Sequence, residues 1–259
     1  MPICTDINRV KEFYNRGVRY ITLCHSSNND ICDSSSDKKG QEHNGLSEFG
    51  TEVVKEMNKL GMMIDVSHIS DKSFYDVIKL SKAPVIASHS SVRSIAHHNR
   101  NMSDDMIKTL AKNGGVIQIC LLDDYIKDPD TTTIYYQKRR ELNLVFDTKY
   151  DSMTDEAKKA LRNEWKILKE KYPKTLPTVA DCVDHIGYVK NLVGIDYVGI
   201  GSDFDGGGGL DGCADVSQFP NITAEMLERG YTEEEIRKVW GGNFFRVFAA
   251  VEKMAKHDL

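Results

Sequence analysis

The sequence predicts an α/β fold with a parallel sheet, arranged either as a TIM-like barrel or as a doubly wound sheet. Short apolar segments alternate with segments of helical periodicity along the 259 residues. Continuous apolar strands separated by helices are typical of parallel sheets that are covered on both faces. Polar clusters follow the strands, as they do where a site lies at the carboxyl edge of such a sheet.

The predicted elements alternate through most of the chain. The predicted strands span residues 18–23, 62–66, 84–87, 116–121 and 197–202. The predicted helices span residues 8–16, 47–60, 71–80, 104–112, 153–172, 179–192 and 233–255, the last interrupted near residues 241–242. Residues 24–44 are predicted to form a long loop, and residues 123–150 to be polar and irregular. Five strands are fewer than the eight that close a barrel.

Capping residues mark several of the predicted helix ends. Ser47, Ser103 and Thr232 each precede a helical segment, where a side-chain oxygen can accept a hydrogen bond from the first turn. Gly61 follows the helix of residues 47–60 and suits the left-handed position that ends many helices.

The composition is that of a soluble globular protein and disfavours several classes of partner. Hydrophobic residues make up 40% of the chain, charged residues 28%, and the net charge is −5. The absence of a long basic run disfavours nucleic acid and anionic membranes as partners. No apolar stretch approaches the roughly 20 residues of a membrane span. Residues 1–6 lack the features of a signal peptide, so the expected location is cytoplasmic if Met1 is the true start.

The six cysteines give no metal or redox motif. None of them forms a Cys-x-x-Cys pair, so we expect reduced thiols that pack in the core.

Two segments that read alike carry the strongest chemical signal. Residues 62–68 and 84–89 are short apolar runs that both end in Ser-His. If they form neighbouring parallel strands, their ends lie about 4.8 Å apart, and His68 and His89 leave the same edge of the sheet. Neutral imidazole binds zinc at roughly 2.0–2.1 Å, so the pair predicts a shared metal ion. A structural hydrogen bond explains either histidine taken alone.

A strand that ends in acid supplies a candidate proton carrier. By alternation, Gly199, Gly201 and Asp203 share one face of the last strand, and the glycines are expected to leave room for a ligand beside the carboxylate. A carboxylate beside a metal-bound substrate can move a proton during hydrolysis. The competing interpretation is an Asp that caps the following turn, a role that we assign to Asp205.

Three further residues have a functional and a structural interpretation. His25 ends the first strand and is either a site residue, as a ligand or an oxyanion stabiliser, or a structural histidine. Arg100 is either a clamp for a substrate carboxylate or a solvated surface residue. Asp65 either orients a metal-binding histidine or has a role in strand packing or in a turn.

An ordered set of motifs is similar to the membrane (renal-type) dipeptidase family. The motifs are residues 17–23 (GVRYITL), 45–50 (GLSEFG), 65–68 (DVSH), 88–91 (SHSS), 100–101 (RN), 201–206 (GSDFDG) and 242–247 (GNFFRV). The resemblance runs through nearly the whole chain. It implies a metal-dependent hydrolase on a (β/α)₈ barrel, in which two zinc ions hold a bridging hydroxide that attacks a dipeptide substrate.

The resemblance also implies a role for each candidate residue. His68 and His89 resemble the ligands of one zinc. His25 resembles the histidine that contacts the substrate and polarises its carbonyl, and Arg100 the residue that grips the carboxylate of the dipeptide. Asp203 resembles the acid that protonates the leaving amine.

The sequence departs from the family pattern at the remaining metal ligands. The family takes these from a His-x-Asp on the first strand and a bridging Glu on the third, and no His-x-Asp precedes His25 here. We therefore expect residues 1–259 to form a single, partial barrel domain that corresponds to the C-terminal five-eighths of a dipeptidase and lacks three β/α units. Such a chain is expected to bind one zinc weakly and to have little or no activity. It is also expected either to self-associate as a homo-oligomer or to behave as a poorly packed domain. The alternatives are a non-catalytic barrel remnant that binds a small ligand or partner, and a one-metal amide or lactam hydrolase.

Overall fold

The structure is a computed structural model and describes residues 5–172 and 174–255. The chain forms two compact units. One comprises the residues up to Lys127 together with those from Pro177 onward, and the other comprises Asp128–Leu176. The single domain over residues 1–259 stays a prediction.

A five-stranded parallel sheet organises the larger unit. Its strands are β1 (Tyr20–Thr22), β2 (Met63–Asp65), β3 (Ile86–Ala87), β4 (Val116–Cys120) and β5 (Val198–Ser202). They lie side by side in the order of the chain, and every neighbouring pair is parallel. The predicted α/β class and the five predicted strands are thus confirmed, although each strand is shorter than predicted. Among the described residues, β1 and β5 form the two edges of the sheet.

Helices connect the strands. They are α1 (Asn8–Asn15), α2 (Glu48–Leu60), α3 (Asp71–Leu80), α4 (Asp104–Lys112), α5 (Asp123–Ile126), α6 (Ile134–Lys149), α7 (Asp155–Lys171), α8 (Val179–Val193), α9 (Phe219–Glu228), α10 (Glu233–Arg237) and α11 (Asn243–Lys253). Short 3₁₀ turns lie at Tyr150–Ser152, Ile195–Tyr197 and Val216–Gln218, and a π-helical turn spans Lys238–Gly242. Non-helical backbone at Gly241 separates α10 from α11, as predicted.

The predicted caps hold the ends of α2, α4 and α10. Ser47 accepts a hydrogen bond from the backbone N–H of Gly50, and Ser103 and Thr232 make the equivalent contact at their own helices. Gly61 is left-handed with φ of 72°. An N-cap of this kind stabilises a helix by about 1 kcal/mol.

Both faces of the sheet are buried in its centre. Met63, Ile86 and Val116 point to one face, where they pack with Val247 and Val251 of α11. The adjacent residues along the strands, such as Ile64 and Ile117, belong to the main core beneath helices α2–α4 and α8. This two-sided burial explains why the strands are apolar without alternation.

The prediction that residues 123–150 are irregular is wrong, because this segment contains α5 and α6. No residue of α6 is buried, so its sequence lacks the apolar period on which the prediction of a helix depends. Helix formers such as Gln137, Lys138 and Glu141 favour the helix instead, and Thr133 caps it by accepting from the N–H of Tyr136. Helix α9 was not predicted either.

The cysteines that the structure describes, at positions 24, 32, 120, 182 and 213, are buried free thiols, in agreement with the prediction. Within the described part of the chain, no helix has both the length and the apolarity needed to cross a membrane.

Candidate active site

Three histidines from different strand ends meet at the carboxyl edge of the sheet. His68 follows β2 and His89 follows β3, and their Nε2 atoms are 2.7 Å apart. The ring of His25, which follows β1, lies 4.2 Å from the ring of His68, centroid to centroid. The predicted juxtaposition of His68 and His89 is therefore confirmed, and His25 joins them.

Burial keeps the central imidazoles neutral. Loss of solvation, reinforced by the positive charge of Arg100, lowers the pKa of His68 to about 2. The pKa of His89 is also lowered, chiefly by burial and against the opposing effect of Asp65. A neutral imidazole presents a lone pair, which is the form that ligates metals.

Strained backbone is concentrated at this edge. His68, Ser202 and Asp203 have φ values of 73°, 47° and 77°, in the left-handed region that residues other than glycine adopt rarely. Such strain costs of the order of 1–3 kcal/mol per residue and tends to occur at functional sites. Here it turns the chain directly after β2 and after β5, where His68 and Asp203 leave the sheet.

Asp203 lies where β5 ends, and its carboxylate faces a buried thiol. The Sγ atom of Cys120 is 3.9 Å from Oδ2 of Asp203. Burial raises the pKa of Cys120 to about 12, so the sulfur retains its proton. It can donate that proton to this carboxylate or to the carbonyl oxygen of Ser202, which is 3.7 Å away. Asp205 is exposed, which agrees with its assignment to the turn.

The expectation that the strand glycines leave room beside Asp203 is wrong for Gly201. A Cβ atom on Gly201 would lie 2.3 Å from the carbonyl oxygen of Ser88 and 3.0 Å from Cα of His89. The glycine is required because the backbone that carries His89 passes directly over it.

Arg100 is buried, so the interpretation as a solvated surface residue is wrong. Only 4% of the residue is exposed. One terminal nitrogen donates to the carbonyl of His89 at 3.1 Å, while Nε is buried and has no partner in the described part of the chain. A buried cation with an unused donor is a strong candidate for binding an anion.

Tyr125 and Asn101 complete the surroundings of Arg100. The sequence analysis did not single out Tyr125, and it placed Asn101 in a motif without assigning it a role. The guanidinium carbon of Arg100 is 5.4 Å from the centroid of the Tyr125 ring. The side-chain amide of Asn101 donates to the carbonyls of Ala96 and Tyr125 and accepts from the N–H of Ser91, which fixes the loop. One available signal was that Tyr125 follows β4 closely and so lies at the same edge of the sheet.

An open cleft of about 880 Å³ adjoins these residues. Its lining includes Ser88, His89 and Asp203 at the strand ends. The lining also includes aromatic side chains, among them Trp240 and Phe245. The cleft is large enough for a small ligand.

The histidines fit part of a metal centre. His68 and His89 offer two neutral imidazoles at one point, and Nδ1 of His68 is buried without a partner in the described part of the chain. Catalytic zinc normally takes three protein ligands. Among residues 5–172 and 174–255, no group of three or more His, Cys, Asp or Glu side chains is placed to hold a metal. The pair therefore fits two ligand positions and does not complete a centre.

The carboxyl edge of a parallel α/β sheet is where such folds place their binding sites, and the histidine cluster lies at this edge. The sequence model of the membrane dipeptidase family, peptidase family M19, matches residues 1–258. The chain therefore belongs to this family, as its motifs predicted.

Individual relatives agree with this assignment. Dipeptidase verJ of Clonostachys rogersoniana is 38% identical over 95% of this chain and 52% of its own length. Dipeptidase tcpJ of Claviceps purpurea (strain 20.1) is 35% identical over 94% of this chain and 47% of its own length. The chain thus spans about half the length of the curated relatives it matches.

A solved structure has the same fold. The probable dipeptidase PvdM from Pseudomonas aeruginosa superposes with a TM-score of 0.87 at 33% identity, covering 98% of this chain and 68% of that chain.

Proposed function

We propose that this chain carries the substrate-binding and proton-transfer residues of a zinc-dependent dipeptidase, with His68 and His89 as two of the metal ligands. The observation that carries the proposal is the meeting of two neutral imidazoles, 2.7 Å apart at Nε2, at the edge of the sheet where Asp203 also lies. Arg100 reaches the same place through its hydrogen bond to the carbonyl of His89. A zinc ion bound there supplies Lewis-acid polarisation of the scissile carbonyl.

Arg100 binds the free carboxylate of the dipeptide. Its guanidinium is desolvated and its Nε has no partner among the described residues, so a carboxylate can satisfy it with charge-assisted hydrogen bonds. A single buried anchor of this kind favours a short substrate, because the carboxylate must lie close to the bond that is cleaved.

His25 and Asp203 act on the reacting bond. The exposed ring of His25 stacks beside His68 and can donate a hydrogen bond to the substrate carbonyl as negative charge develops on its oxygen. Asp203 carries a proton to the leaving amine, and the S–H of Cys120 orients its carboxylate.

We further propose that the remaining metal ligands come from β/α units outside these 259 residues, which close the sheet into a barrel. Support comes from the open edges at β1 and β5 among the described residues, and from the greater length of the curated relatives. An open edge strand pairs readily with another strand.

A complementation experiment tests the proposed function. Residues 1–259 alone should show little dipeptide hydrolysis in the presence of zinc and should self-associate in light scattering, because the sheet edges are open. Co-expression with the part of dipeptidase verJ that precedes its matching segment should give zinc-dependent hydrolysis. A complemented protein that holds stoichiometric zinc but leaves dipeptides intact would contradict the proposed function. Robust turnover by residues 1–259 alone would contradict the proposal that the remaining metal ligands lie outside these residues.

The metal assignment is tested separately on residues 1–259. Equilibrium dialysis followed by elemental analysis should find less than one zinc per chain, since two ligands bind weakly compared with three or four. His89→Ala should lower the zinc content further, whereas His97→Ala, at an exposed histidine, should leave it unchanged. Tight stoichiometric zinc in the His68→Ala/His89→Ala double variant is the result that excludes these ligands.

A second candidate function is non-catalytic binding of a small ligand. It is favoured by one observation, namely that the described residues contain no cluster of three metal-binding side chains. It predicts that a dipeptide binds in the cleft but is not cleaved, even by the complemented protein.

A further inference from the structure

We infer that Asp65 and Ser88 fix His89 in the tautomer that carries its proton on Nδ1 and leaves the lone pair on Nε2. This assigns a positioning role to two residues that act through His89 and are not themselves proposed to bind the metal or the substrate. The tautomer follows from hydrogen bonds alone, and its value for metal binding rests on the proposed function.

Four donors converge on the buried carboxylate of Asp65. The backbone N–H groups of Ser67 and Ser88 donate to Oδ1, at 3.0 and 2.9 Å. The hydroxyl groups of Thr22 and Ser88 donate to Oδ2, at 2.5 and 2.6 Å. The Asp65 residue is 0% exposed, so these bonds do not compete with water.

The single proton of the Ser88 hydroxyl decides the tautomer of His89. Ser88 Oγ is 2.6 Å from Oδ2 of Asp65 and 2.7 Å from Nδ1 of His89. A serine hydroxyl has one hydrogen to donate, and here it goes to the carboxylate. Ser88 can therefore only accept from His89, which requires the proton on Nδ1. The Nε2 atom of the neutral ring is left as an acceptor.

A further hydrogen bond fixes the backbone that carries the His89 ring. The backbone N–H of His89 donates to Ser67 Oγ at 3.0 Å. Because the N–H of Ser67 is itself bound to Asp65, the one carboxylate orders the backbone that carries His89 as well as its ring.

The partner histidine has no equivalent constraint. Nδ1 of His68 is buried without a partner in the described part of the chain. Its Nε2 faces Nε2 of His89 at 2.7 Å and must donate, since His89 offers the lone pair. His68 therefore carries its proton on Nε2 in the metal-free protein and must change tautomer before that nitrogen can ligate, whereas His89 is already in its ligating form.

The consequence is a division of roles at the proposed centre. His89 already has its Nε2 lone pair free to bind the metal, whereas His68 must first move its proton from Nε2 to Nδ1. Loss of a group that orients a metal-binding histidine typically weakens metal affinity by about 10–100-fold. Asp65→Asn should weaken zinc binding by this factor even though Asp65 does not touch the metal.

The test reads the tautomers directly, in residues 1–259 without metal or substrate. Two-dimensional NMR of ¹⁵N-histidine-labelled protein distinguishes a protonated from an unprotonated ring nitrogen, and His89→Ala identifies the signals of His89. The expected spectrum has His89 protonated on Nδ1 and His68 protonated on Nε2. Protonation of His89 on Nε2 overturns the inference.

Two variants then test the cause. In Asp65→Asn, the amide oxygen is needed by the two backbone N–H groups, so the amide nitrogen faces Ser88 and donates to it. The Ser88 hydroxyl is released to donate to Nδ1, and the proton of His89 should move to Nε2. Thr22→Val is the matched control, because it removes another hydrogen bond to the same oxygen without touching His89, and its tautomers should remain those of the wild type.

The outcomes separate this inference from the proposed function. Retention of the Nδ1 proton in folded Asp65→Asn would show that the carboxylate does not set the tautomer, and the inference would be wrong. A fixed tautomer in a protein that never binds zinc would remove the proposed function and leave the hydrogen-bond argument intact.

Discussion

Asp203→Asn is expected to lower kcat for dipeptide hydrolysis by about 10²–10⁴-fold in the complemented enzyme, the range that a positioned acid–base group contributes. An amide has nearly the shape of a carboxylate but cannot carry a proton to the leaving amine. Zinc content and KM should change little, because Asp203 is neither a proposed ligand nor the carboxylate anchor.

The backbone conformation at position 203 is compatible with asparagine, so the substitution should not disturb the fold. Asp203 has φ of 77°, and asparagine tolerates the left-handed region as well as aspartate does. Asp205→Asn provides the matched control, since Asp205 is an exposed carboxylate two residues further along the same turn. Steady-state kinetics on both variants checks the prediction. If Asp203→Asn keeps most of its kcat while Asp205→Asn behaves like the wild type, Asp203 does not transfer the proton.

The sequence alone predicts those helices that have a capping residue and an apolar face. Helices α3 and α4 begin and end at the predicted residues, because an N-cap serine opens each of them and an apolar face runs through them. Helix α6 lacks a buried face and was missed. Helix α9 was missed although Ile222 and Met226 are buried at helical spacing. Periodicity reports burial, so a helix without burial gives no signal.

The site was predictable only where it follows from strand order. His68 and His89 each end a strand, and neighbouring parallel strands bring such residues together in any fold of this class. The burial of Arg100 depends instead on a loop that Asn101 ties to Tyr125, 24 positions away. Contacts of this kind leave no pattern in the sequence, because they are set by the tertiary fold.

The role of Asp65 shows the same limit at a single residue. Its position three residues before His68 suggested that it orients a ligand, with strand packing or a turn as the alternative. The hydrogen bonds run through Ser88 to His89, on the next strand. The position of Asp65 in the sequence therefore suggested that it orients a histidine. It did not show that this histidine is His89, on the next strand, and not His68.

Arg100→Ala is expected to raise KM for dipeptides by about 10–100-fold with a smaller change in kcat. A hydrogen bond to a charged group contributes about 1.5–3 kcal/mol, and each 1.4 kcal/mol corresponds to about a tenfold change in affinity. An anchor that holds the substrate carboxylate does so before and during the reaction, so its loss removes uniform binding. Arg100→Lys should recover only part of the affinity, because an ammonium group lacks the planar fork of the guanidinium.

The substrate supplies the matched control for this variant. A dipeptide whose C-terminus is amidated cannot use the anchor, so the wild-type enzyme should cleave it far more slowly than the free acid. Arg100→Ala should then affect the two substrates unequally, with a large loss for the free acid and almost none for the amide. Equal losses for both would mean that Arg100 maintains the loop through its hydrogen bond to the carbonyl of His89, and that the carboxylate is bound elsewhere.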